Sequence, residues 1–249
     1  MTSTPLTEHE ILRYSRQIIL PEVGGAGQER LKRARVLVVG AGGVGAPAAL
    51  YLAAAGVGTL GICDDDRVDL TNLQRQVIHA TKDLGRPKAA AAAERLRVLN
   101  PEIRVEEHPV RLRAANALAI LAGYEAVVDG SDTFASKFLV NDACAAAGVP
   151  HVFAGILGFQ GQLLTVLPGR GPCYRCFFRE APPPGSVPTC AQAGILGPVA
   201  GVLGSLQALE VLKLLLGIGE PAAGRLILFD GLGLAWREVA IHRDPRCPS

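Results

Sequence analysis

The sequence lacks an excess of charge of either sign. Its 249 residues contain 25 Lys and Arg against 23 Asp and Glu, which gives a formal net charge of +2 at pH 7. This balance offers no electrostatic support for a general nucleic-acid binder or a membrane-surface protein. Charged residues are also few, at 19%, whereas hydrophobic residues reach 49%. The composition therefore excludes global disorder and allows a sizeable core.

A secretory start and a disulfide framework are missing as well. Residues 1–10 contain Glu8 and Glu10 and no basic segment followed by an apolar one, so we expect no signal peptide and a cytoplasmic protein. Six cysteines in a chain of this length do not suggest a disulfide scaffold. Residues 36–63 carry no formal charge, but they include seven glycines and Pro47. That pattern favours a strand, a turn, a helix and a strand over a membrane span.

Strands and helices alternate through the first 150 residues. Val36–Val39 predicts a buried strand, which a glycine-rich turn connects to a helix over about 46–55. The helix after residue 130 is expected to begin at a cap on Ser131 or Asp132. Further strands are predicted at 59–63, 103–108 and 126–129, and further helices at 88–99, 114–121 and up to about 147. The alternation predicts an α/β fold with a Rossmann-like, doubly wound and mainly parallel sheet.

The pattern changes after residue 150. Strands are predicted at about 151–153, 162–167, 225–229 and 234–241, with few helices between them. One long helix over about 198–216 interrupts them, with Gln207, Glu210 and Lys213 as its polar positions. We therefore expect residues 1–249 to form a single domain. Its nucleotide-binding half, about 30–150, is extended by antiparallel strands in the half at about 151–249.

The glycines at positions 40, 42 and 45 form a G-x-G-x-x-G pattern between a predicted strand and a predicted helix. Such glycines let the backbone approach a phosphate, and the start of the helix favours an anion. Asp64 ends the next strand, where a carboxylate can accept hydrogen bonds from a ribose hydroxyl. These features predict a nucleotide site but do not distinguish NAD, FAD and ATP.

Basic and amide side chains follow the second predicted strand. Asn72, Arg75 and Lys88 are expected near the nucleotide end of the sheet. They suit a triphosphate under attack, because charge then builds on the phosphoryl oxygens. Asp132 follows a buried strand that should end at the same edge, so it could hold Mg²⁺. A dehydrogenase would not explain this set of side chains.

Five segments together resemble the MoeB/ThiF adenylyltransferases, which are bacterial relatives of ubiquitin-activating enzymes. The Asn-Leu-Gln-Arg-Gln and Cys-Tyr-Arg-Cys runs are the most specific of them, and the similarity extends over essentially the whole chain. The segments are Arg13–Gln17, Gly40–Gly45, Asn72–Gln76, Gly130–Asp132 and Cys173–Cys176. The resemblance implies a homodimer that uses Mg·ATP to adenylate the C-terminal Gly-Gly carboxylate of a ubiquitin-like sulfur carrier of the MoaD/ThiS type. Molybdenum-cofactor, thiamine and tRNA-thiolation pathways all stay open.

The same resemblance assigns roles to individual residues. It implies that Arg16 reaches the nucleotide of the other subunit and that Asp64 contacts the ribose. The catalytic set that it implies is Arg16, Arg75, Lys88, Asp132 and Cys190. The nucleotide-binding set is Gly40, Gly42, Gly43, Gly45, Asp64, Asp66, Thr71, Asn72, Leu73, Gln74, Arg75, Lys88, Asp132 and Thr133. A carboxylate nucleophile is already ionised at pH 7, so no general base is required.

The cysteines fall into three groups. Cys173 and Cys176 form half of a tetrahedral zinc site. The resemblance adds Cys247 as a third ligand of a structural Zn²⁺, and the fourth ligand of its pattern falls one residue beyond position 249. Cys190 matches a cysteine that some relatives use to handle sulfur or acyl groups. A covalent role and a bystander role both stay open for it, and a sulfurtransferase or cysteine desulfurase is a candidate partner. The remaining two, Cys63 and Cys144, are expected in the core.

Three other interpretations compete with this one. They are an NAD-dependent oxidoreductase on the same nucleotide fold, a non-catalytic scaffold, and an ATP-dependent dehydratase that modifies a tRNA base. The presence of Arg16, Arg75, Lys88 and Asp132 together argues against the first two. The near-neutral charge and the Cys-Tyr-Arg-Cys run argue against the third, so no direct contact with nucleic acid is expected.

Overall fold

Eight strands form one sheet in the computed structural model, which describes residues 5–183, 185–187 and 190–248. The strands are β1 (Arg35–Val39), β2 (Thr59–Cys63), β3 (Arg104–His108), β4 (Ala126–Asp129), β5 (His151–Leu157), β6 (Gln160–Val166), β7 (Arg225–Asp230) and β8 (Ala235–Ala240). Their order across the sheet is β3-β2-β1-β4-β5-β6-β7-β8. Pairing is parallel from β3 to β5 and antiparallel from β5 to β8. The predicted parallel sheet with an antiparallel extension is confirmed.

Helices cover both faces of the parallel strands. They are α1 (Glu8–Arg13), α2 (Ser15–Ile18), α3 (Gly24–Arg33), α4 (Gly45–Ala54), α5 (Lys88–Leu99), α6 (Ala114–Leu121), α7 (Phe134–Ala147), α8 (Tyr174–Phe177), α9 (Cys190–Ala193) and α10 (Gly197–Leu216). One core cluster joins β1 to α4, α5 and α10, and a second joins it to α6 and α7. The sheet is therefore doubly wound. By length and composition α10 could cross a membrane, but here it packs against α4, β5 and β6.

The sequence of β1 shows why this strand lies at the centre. Val36 and Val38 belong to the first core cluster, and Leu37 and Val39 belong to the second. Both faces of the strand are covered, so an uninterrupted apolar run is required where a half-exposed strand would alternate. The uncharged run 36–63 is thus strand, turn, helix and strand, as its glycines predicted.

The strand order reverses between β1 and β4. The chain runs outward from β1 through β2 to β3, then returns to the other side of β1 for β4 and β5. Connections on the two sides of this point leave the sheet in opposite directions, which opens a crevice at the carboxyl ends of the strands. Ligands of open α/β sheets bind in such crevices, so the topology itself selects the place for a site.

The cap of α7 was predicted at the wrong residue. The hydroxyl of Thr133 accepts a hydrogen bond from the backbone N–H of Ser136 at 3.1 Å and caps the helix. Ser131 instead donates its hydroxyl to Oδ1 of Asp129 at 2.6 Å. The buried carboxylate of Asp129 requires hydrogen-bond donors. The hydroxyl of Ser131 therefore bonds to Asp129 and does not cap the helix. Asp132 is left exposed between the two.

The polar positions of α10 do not form an exposed face. Gln207 is fully buried and donates from Nε2 to the carbonyl oxygens of Asp129 and Val152, both at 2.8 Å. Glu210 is also buried and accepts the hydroxyl proton of Thr165 at 2.5 Å. These side chains serve polar groups of β4, β5 and β6, where parallel pairing changes to antiparallel. A buried polar side chain is stable only with such partners.

Candidate active site

A cavity of about 370 Å³ lies at the carboxyl ends of β1 and β4, at the point where the strand order reverses. Several segments of the chain supply its polar lining, among them the loops after β1, β2, β3 and β4 and the start of α5. Its lining includes Gly40, Gly42, Gly43, Asp64, Asp65, Asp66, Arg75, Gln76, Lys88, Arg111, Ser131, Asp132 and Thr133. The glycine loop, the end of β2, the start of α5 and the loop after β4 therefore meet, as the sequence predicted.

Three glycines of this region are required by packing. Gly40 has a φ of +89°, a backbone conformation that favours glycine. A side chain on Gly45 would overlap the carbonyl oxygen of Gly40, and a Cβ on Gly130 would lie 2.7 Å from the same atom. The loop after β1 and the loop after β4 thus touch through their backbones. This contact fixes the floor of the cavity.

Packing does not require the other two glycines of the loop. Among the described residues, a Cβ on Gly42 would meet only Nε2 of Gln76, at 3.7 Å. A Cβ on Gly43 would lie 3.5 Å from Cβ of Ala200, which is an ordinary contact. Both glycines line the cavity. Their missing side chains leave backbone N–H groups open to a ligand, which is the use that phosphate-binding loops make of glycine.

Asp64 connects the end of β2 to the glycine loop. Its Oδ2 accepts from the backbone N–H of Ala41 at 2.8 Å, and its Oδ1 accepts from that of Asp66 at 2.9 Å. Burial raises the pKa of Asp64, against the backbone hydrogen bond from Asp66 and the charge of Lys88. Each carboxylate oxygen can accept a further bond. The residue is therefore held in place and still able to bind ribose hydroxyls.

Two cationic side chains line the cavity beside the glycine loop. Lys88 is buried at the start of α5, and its Nζ lies 2.8 Å from Oδ2 of the exposed Asp66. The aliphatic part of Arg75 packs against Gly43, and its Nη1 donates to the carbonyl oxygen of Thr71 at 3.0 Å. Both groups face the same space as the glycine backbone. They can neutralise phosphate oxygens there.

Asp132 lies exposed where two cavities meet. It lines the nucleotide cavity and also a second cavity of about 290 Å³ beside β5 and β6. The second cavity includes Gly155 and Gly161 in its lining, together with the buried Lys137. The two linings share Asp132 and Ile156, so the two cavities adjoin at these residues. A two-substrate reaction can use this arrangement.

Several predicted site residues lie outside the cavity lining. Arg16 is exposed on α2, well away in sequence from the glycine loop. Four residues of the Asn-Leu-Gln-Arg-Gln region and its flank also do not line the cavity, namely Thr71, Asn72, Leu73 and Gln74. The carbonyl oxygen of Gln74 instead packs against Gly197 at the start of α10. The side chain of Cys190, the first residue of α9, lies outside the described part of the structure.

The site set predicted from the sequence lacks several residues of the lining, among them Gln76 and Arg111. Gln76 is buried with its amide next to Gly42, although it belongs to the same specific run as Arg75. Arg111 reaches the cavity from the loop after β3. A usable signal existed for both, since loops that follow parallel strands share one edge of the sheet.

Three cysteines form a cluster on the antiparallel side of the molecule. Sγ of Cys173 lies 3.4 Å from Sγ of Cys247 and 3.9 Å from Sγ of Cys176. Zinc–sulfur bonds of about 2.3 Å in a tetrahedron place sulfur atoms about 3.8 Å apart. Burial acts to raise the pKa of Cys173, but hydrogen bonds from Cys247 and nearby backbone N–H groups lower it. The cluster thus fits a thiolate-bound metal.

The two cysteines predicted in the core are buried there. Cys63 ends β2, and burial raises the pKa of its thiol to about 12. Burial raises the pKa of Cys144 as well. Both thiols stay protonated at neutral pH and are poor nucleophiles. The prediction that they are small core residues is confirmed.

Comparisons with known proteins match nearly the whole chain. The model of the ThiF family matches residues 14–249. A sulfur carrier protein adenylyltransferase from Thermus thermophilus is 54% identical over 247 residues, which cover 97% of this chain and 91% of that protein. A probable adenylyltransferase/sulfurtransferase MoeZ from Mycobacterium tuberculosis is 48% identical over 250 residues. That match covers 99% of this chain but 64% of MoeZ.

A solved structure agrees with the same fold. The crystal structure of E. coli MccB with ATP superposes on this chain with a TM-score of 0.83 and 26% sequence identity. The superposition covers 98% of this chain and 76% of the MccB chain. The shared fold thus occurs in a protein whose structure was solved with ATP.

Proposed function

The chain belongs to the ThiF family, and we infer from this premise that it is an adenylyltransferase acting on a sulfur-carrier protein. The enzyme transfers AMP from ATP to the C-terminal carboxylate of the carrier and releases pyrophosphate. The observation that carries this inference is the match to the Thermus enzyme, which extends over nearly all of both chains at 54% identity. The cavity supplies the chemistry that such a reaction needs.

The main obstacle to this reaction is charge. A carboxylate must attack the α-phosphate of ATP, so two anions meet, and negative charge must then leave with pyrophosphate. Lys88 and Arg75 face the loop where the phosphates would lie, and the N–H groups of Gly42 and Gly43 add fixed dipoles. Preorganised donors of this kind stabilise developing charge in a site that excludes water. They also align the two reactants.

The carrier tail has a route to the nucleotide. We propose that its C-terminal Gly-Gly segment enters through the second cavity, whose lining includes Gly155 and Gly161. The tail would then pass Asp132 and present its carboxylate to the α-phosphate. No general base is needed, because a C-terminal carboxylate is ionised at pH 7.

Asp132 is the residue proposed to hold Mg²⁺. Oxygen atoms of Asp64, Asp65 and Asp66 also lie within 4.8 Å of one another, but Asp64 accepts two backbone hydrogen bonds and Asp66 pairs with Lys88. The exposed carboxylate of Asp132, at the junction of the cavities, is the better oxygen donor for a hard cation. A bound Mg²⁺ would supply positive charge at the reacting phosphate.

We propose that the enzyme is a cytoplasmic homodimer and that Arg16 acts across its interface. Four apolar side chains around Arg16 are exposed on α1 and just after α2. They are Ile11, Leu12, Ile19 and Leu20, with between 49% and 75% of each residue exposed. Apolar groups gathered in this way mark an interaction surface. If these apolar side chains packed against a second subunit, Arg16 would lie at the interface between the two subunits.

We propose that the cysteine cluster holds Zn²⁺ in a structural role. Cys173 directly precedes α8 and Cys176 lies within it, whereas Cys247 is 71 residues beyond Cys176. A metal bound by all three would join the loop after β6 to the segment after β8. The cluster is not part of the nucleotide cavity lining, so the zinc would take no part in the chemistry.

The test is ATP–pyrophosphate exchange with purified sulfur carriers. We expect exchange only when a carrier with an intact C-terminal Gly-Gly is present. A carrier that lacks its last glycine is the matched control, because it keeps its fold and loses the substrate carboxylate position. Exchange without any carrier, or equal exchange with the shortened carrier, would contradict the proposal. A titration with NADH, followed by fluorescence, tests the oxidoreductase alternative.

A further inference from the structure

Two side chains hold Ala41, the second residue of the glycine loop, from opposite ends. Its backbone N–H donates to Oδ2 of Asp64 at 2.8 Å. Its carbonyl oxygen lies 3.1 Å from Nε2 of His79, which is 38 residues away in the chain. His79 is buried, with 7% of its surface exposed, just before the 3₁₀ turn Thr81–Asp83. This histidine therefore supports the glycine loop from a distant part of the chain.

The proton on His79 can be assigned from its partner. A carbonyl oxygen only accepts hydrogen bonds, so Nε2 must carry the proton and donate it to Ala41. Burial lowers the pKa of His79, which keeps the ring neutral with one N–H. That single donor is used on the glycine loop.

The bond to Ala41 also orients the next amide. Among the residues that the structure describes, every peptide bond is trans. In a planar trans peptide the C=O and the N–H point in opposite directions. The C=O of Ala41 turns toward His79 beneath the loop, so the N–H of Gly42 in the same peptide turns away from it. Gly42 lines the nucleotide cavity, so an N–H that turns away from His79 can point into that cavity.

This peptide would otherwise be easy to rotate. Gly42 has no side chain to restrict its backbone, and the space around its Cβ position is open. A flipped peptide would present the carbonyl oxygen of Ala41 to the phosphates in place of an N–H. The attraction between the N–H and a phosphate oxygen would thus be replaced by repulsion between the carbonyl oxygen and the phosphate, where the site must accommodate negative charge.

We propose that His79 is a positioning residue, which fixes the Ala41–Gly42 peptide so that the N–H of Gly42 binds a phosphate oxygen of the nucleotide. The inference rests on the proposed function, since it requires a nucleotide with its phosphates at the glycine loop. The proposed role differs from a purely structural one in its effect on ligand binding. Loss of the donor must weaken the binding of ATP, which has phosphates, and leave the binding of adenosine nearly unchanged.

The test compares His79→Met with His79→Gln by titration calorimetry, with ATP and adenosine as separate ligands. Glutamine places an amide nitrogen the same number of bonds from Cβ as Nε2 of histidine, and methionine has a similar length without a donor. We expect His79→Met to raise the Kd for ATP at least tenfold and to change that for adenosine less than twofold. His79→Gln should stay within threefold of wild type for both. An equal loss for both ligands, unchanged ATP binding in His79→Met, or no rescue by glutamine would overturn the inference.

A measurement on the unaltered protein applies even if a variant fails to fold. In glycine-labelled wild-type enzyme, the amide proton of Gly42 should shift downfield when ATP binds and should not do so with adenosine. The same shift with both ligands, or none with ATP, would refute the role of this N–H. Failure of the wild type to bind ATP at all would instead contradict the proposed function, so the two failures are distinguishable.

Discussion

The nucleotide cavity and the cysteine cluster lie in different halves of one sheet and are held by different interactions. In the parallel half, Gly40, Gly45 and Gly130 pack backbone against backbone, and Asp64 adds hydrogen bonds to main-chain N–H groups. In the antiparallel half, the cluster depends on side chains from two distant segments, and the last strand, β8, is exposed along its whole length. The first site is preformed by the fold, whereas the second would help to hold the fold together.

This comparison separates activity from stability. Changes at exposed side chains of the cavity, such as Asp132, should reduce catalysis and leave the melting temperature nearly unaltered, because these side chains do not pack in the core. Changes at the cysteine cluster should do the opposite. The predictions below follow this division, from the largest expected effect to the smallest.

The largest loss of activity is expected from Asp132→Ala. If Asp132 holds Mg²⁺ as proposed, its removal should cost at least about 3 kcal/mol of transition-state stabilisation, or more than a 100-fold loss in exchange rate. The residue is exposed, so the melting temperature should stay within about 2 °C of wild type. The exposed Glu180→Ala, in the other half, is the matched control and should be neutral. Exchange within threefold of wild type would remove Asp132 from the site.

Arg16→Ala should be nearly inactive alone and rescuable by a second mutant. If Arg16 acts in the neighbouring subunit, its variant keeps a sound cavity, and Asp132→Ala keeps a sound Arg16. Mixing equal amounts and re-equilibrating gives half mixed dimers with one working site each, so about a quarter of wild-type exchange should return. No recovery after confirmed subunit exchange would place Arg16 within its own subunit or outside the reaction.

Cys173→Ser should lower stability and leave the exchange activity nearly unchanged. Loss of a metal ligand that joins two chain segments should cost about 3 kcal/mol of stability, which lowers the melting temperature by roughly 6–12 °C for a protein of this size. Bound zinc, measured by atomic emission, should fall with it. Exchange per folded molecule should remain within threefold of wild type. The result would be contrary if zinc were absent from the wild type, or if activity fell while stability did not.

Cys190→Ser should have the smallest effect on adenylation. A carboxylate attacks ATP directly, so no thiol is required for pyrophosphate exchange, and we expect a rate within twofold of wild type. The transfer of sulfur to the activated carrier is a separate assay on the same variant. A tenfold fall in exchange would show that Cys190 contributes to the first step after all.

The sequence predicted the regular elements best where polar or glycine residues mark their ends. The strands Thr59–Cys63 and Ala126–Asp129 and the helices Lys88–Leu99 and Ala114–Leu121 have the predicted bounds. Each is an apolar or alanine-rich run that polar or turn-forming residues bound on both sides. Local signals of this kind need no knowledge of what packs against them.

Residues whose role depends on distant partners could not be predicted in this way. Gln207 was predicted only as a polar position of the long helix, and its Nε2 donates to carbonyl oxygens of two strands that precede it by 55 and 78 residues. His79 has no local sequence signal for its role, because its acceptor is in the glycine loop, 38 residues away. The cap predicted at Ser131 was wrong for the same reason, because the hydroxyl of Ser131 donates to the buried carboxylate of Asp129. Polar groups require hydrogen-bond partners within the protein only once the folded chain has buried them.

The central claim is that the glycine-loop cavity joins AMP to the carrier terminus. It is tested most directly by incubating the enzyme and a sulfur carrier with ATP labelled at the α-phosphate and then measuring label on the carrier. Wild type and the folded fraction of Cys173→Ser should both label it, whereas Asp132→Ala and a carrier without its last glycine should give none. Label on the shortened carrier, or none on the intact one while pyrophosphate is released, would contradict the account.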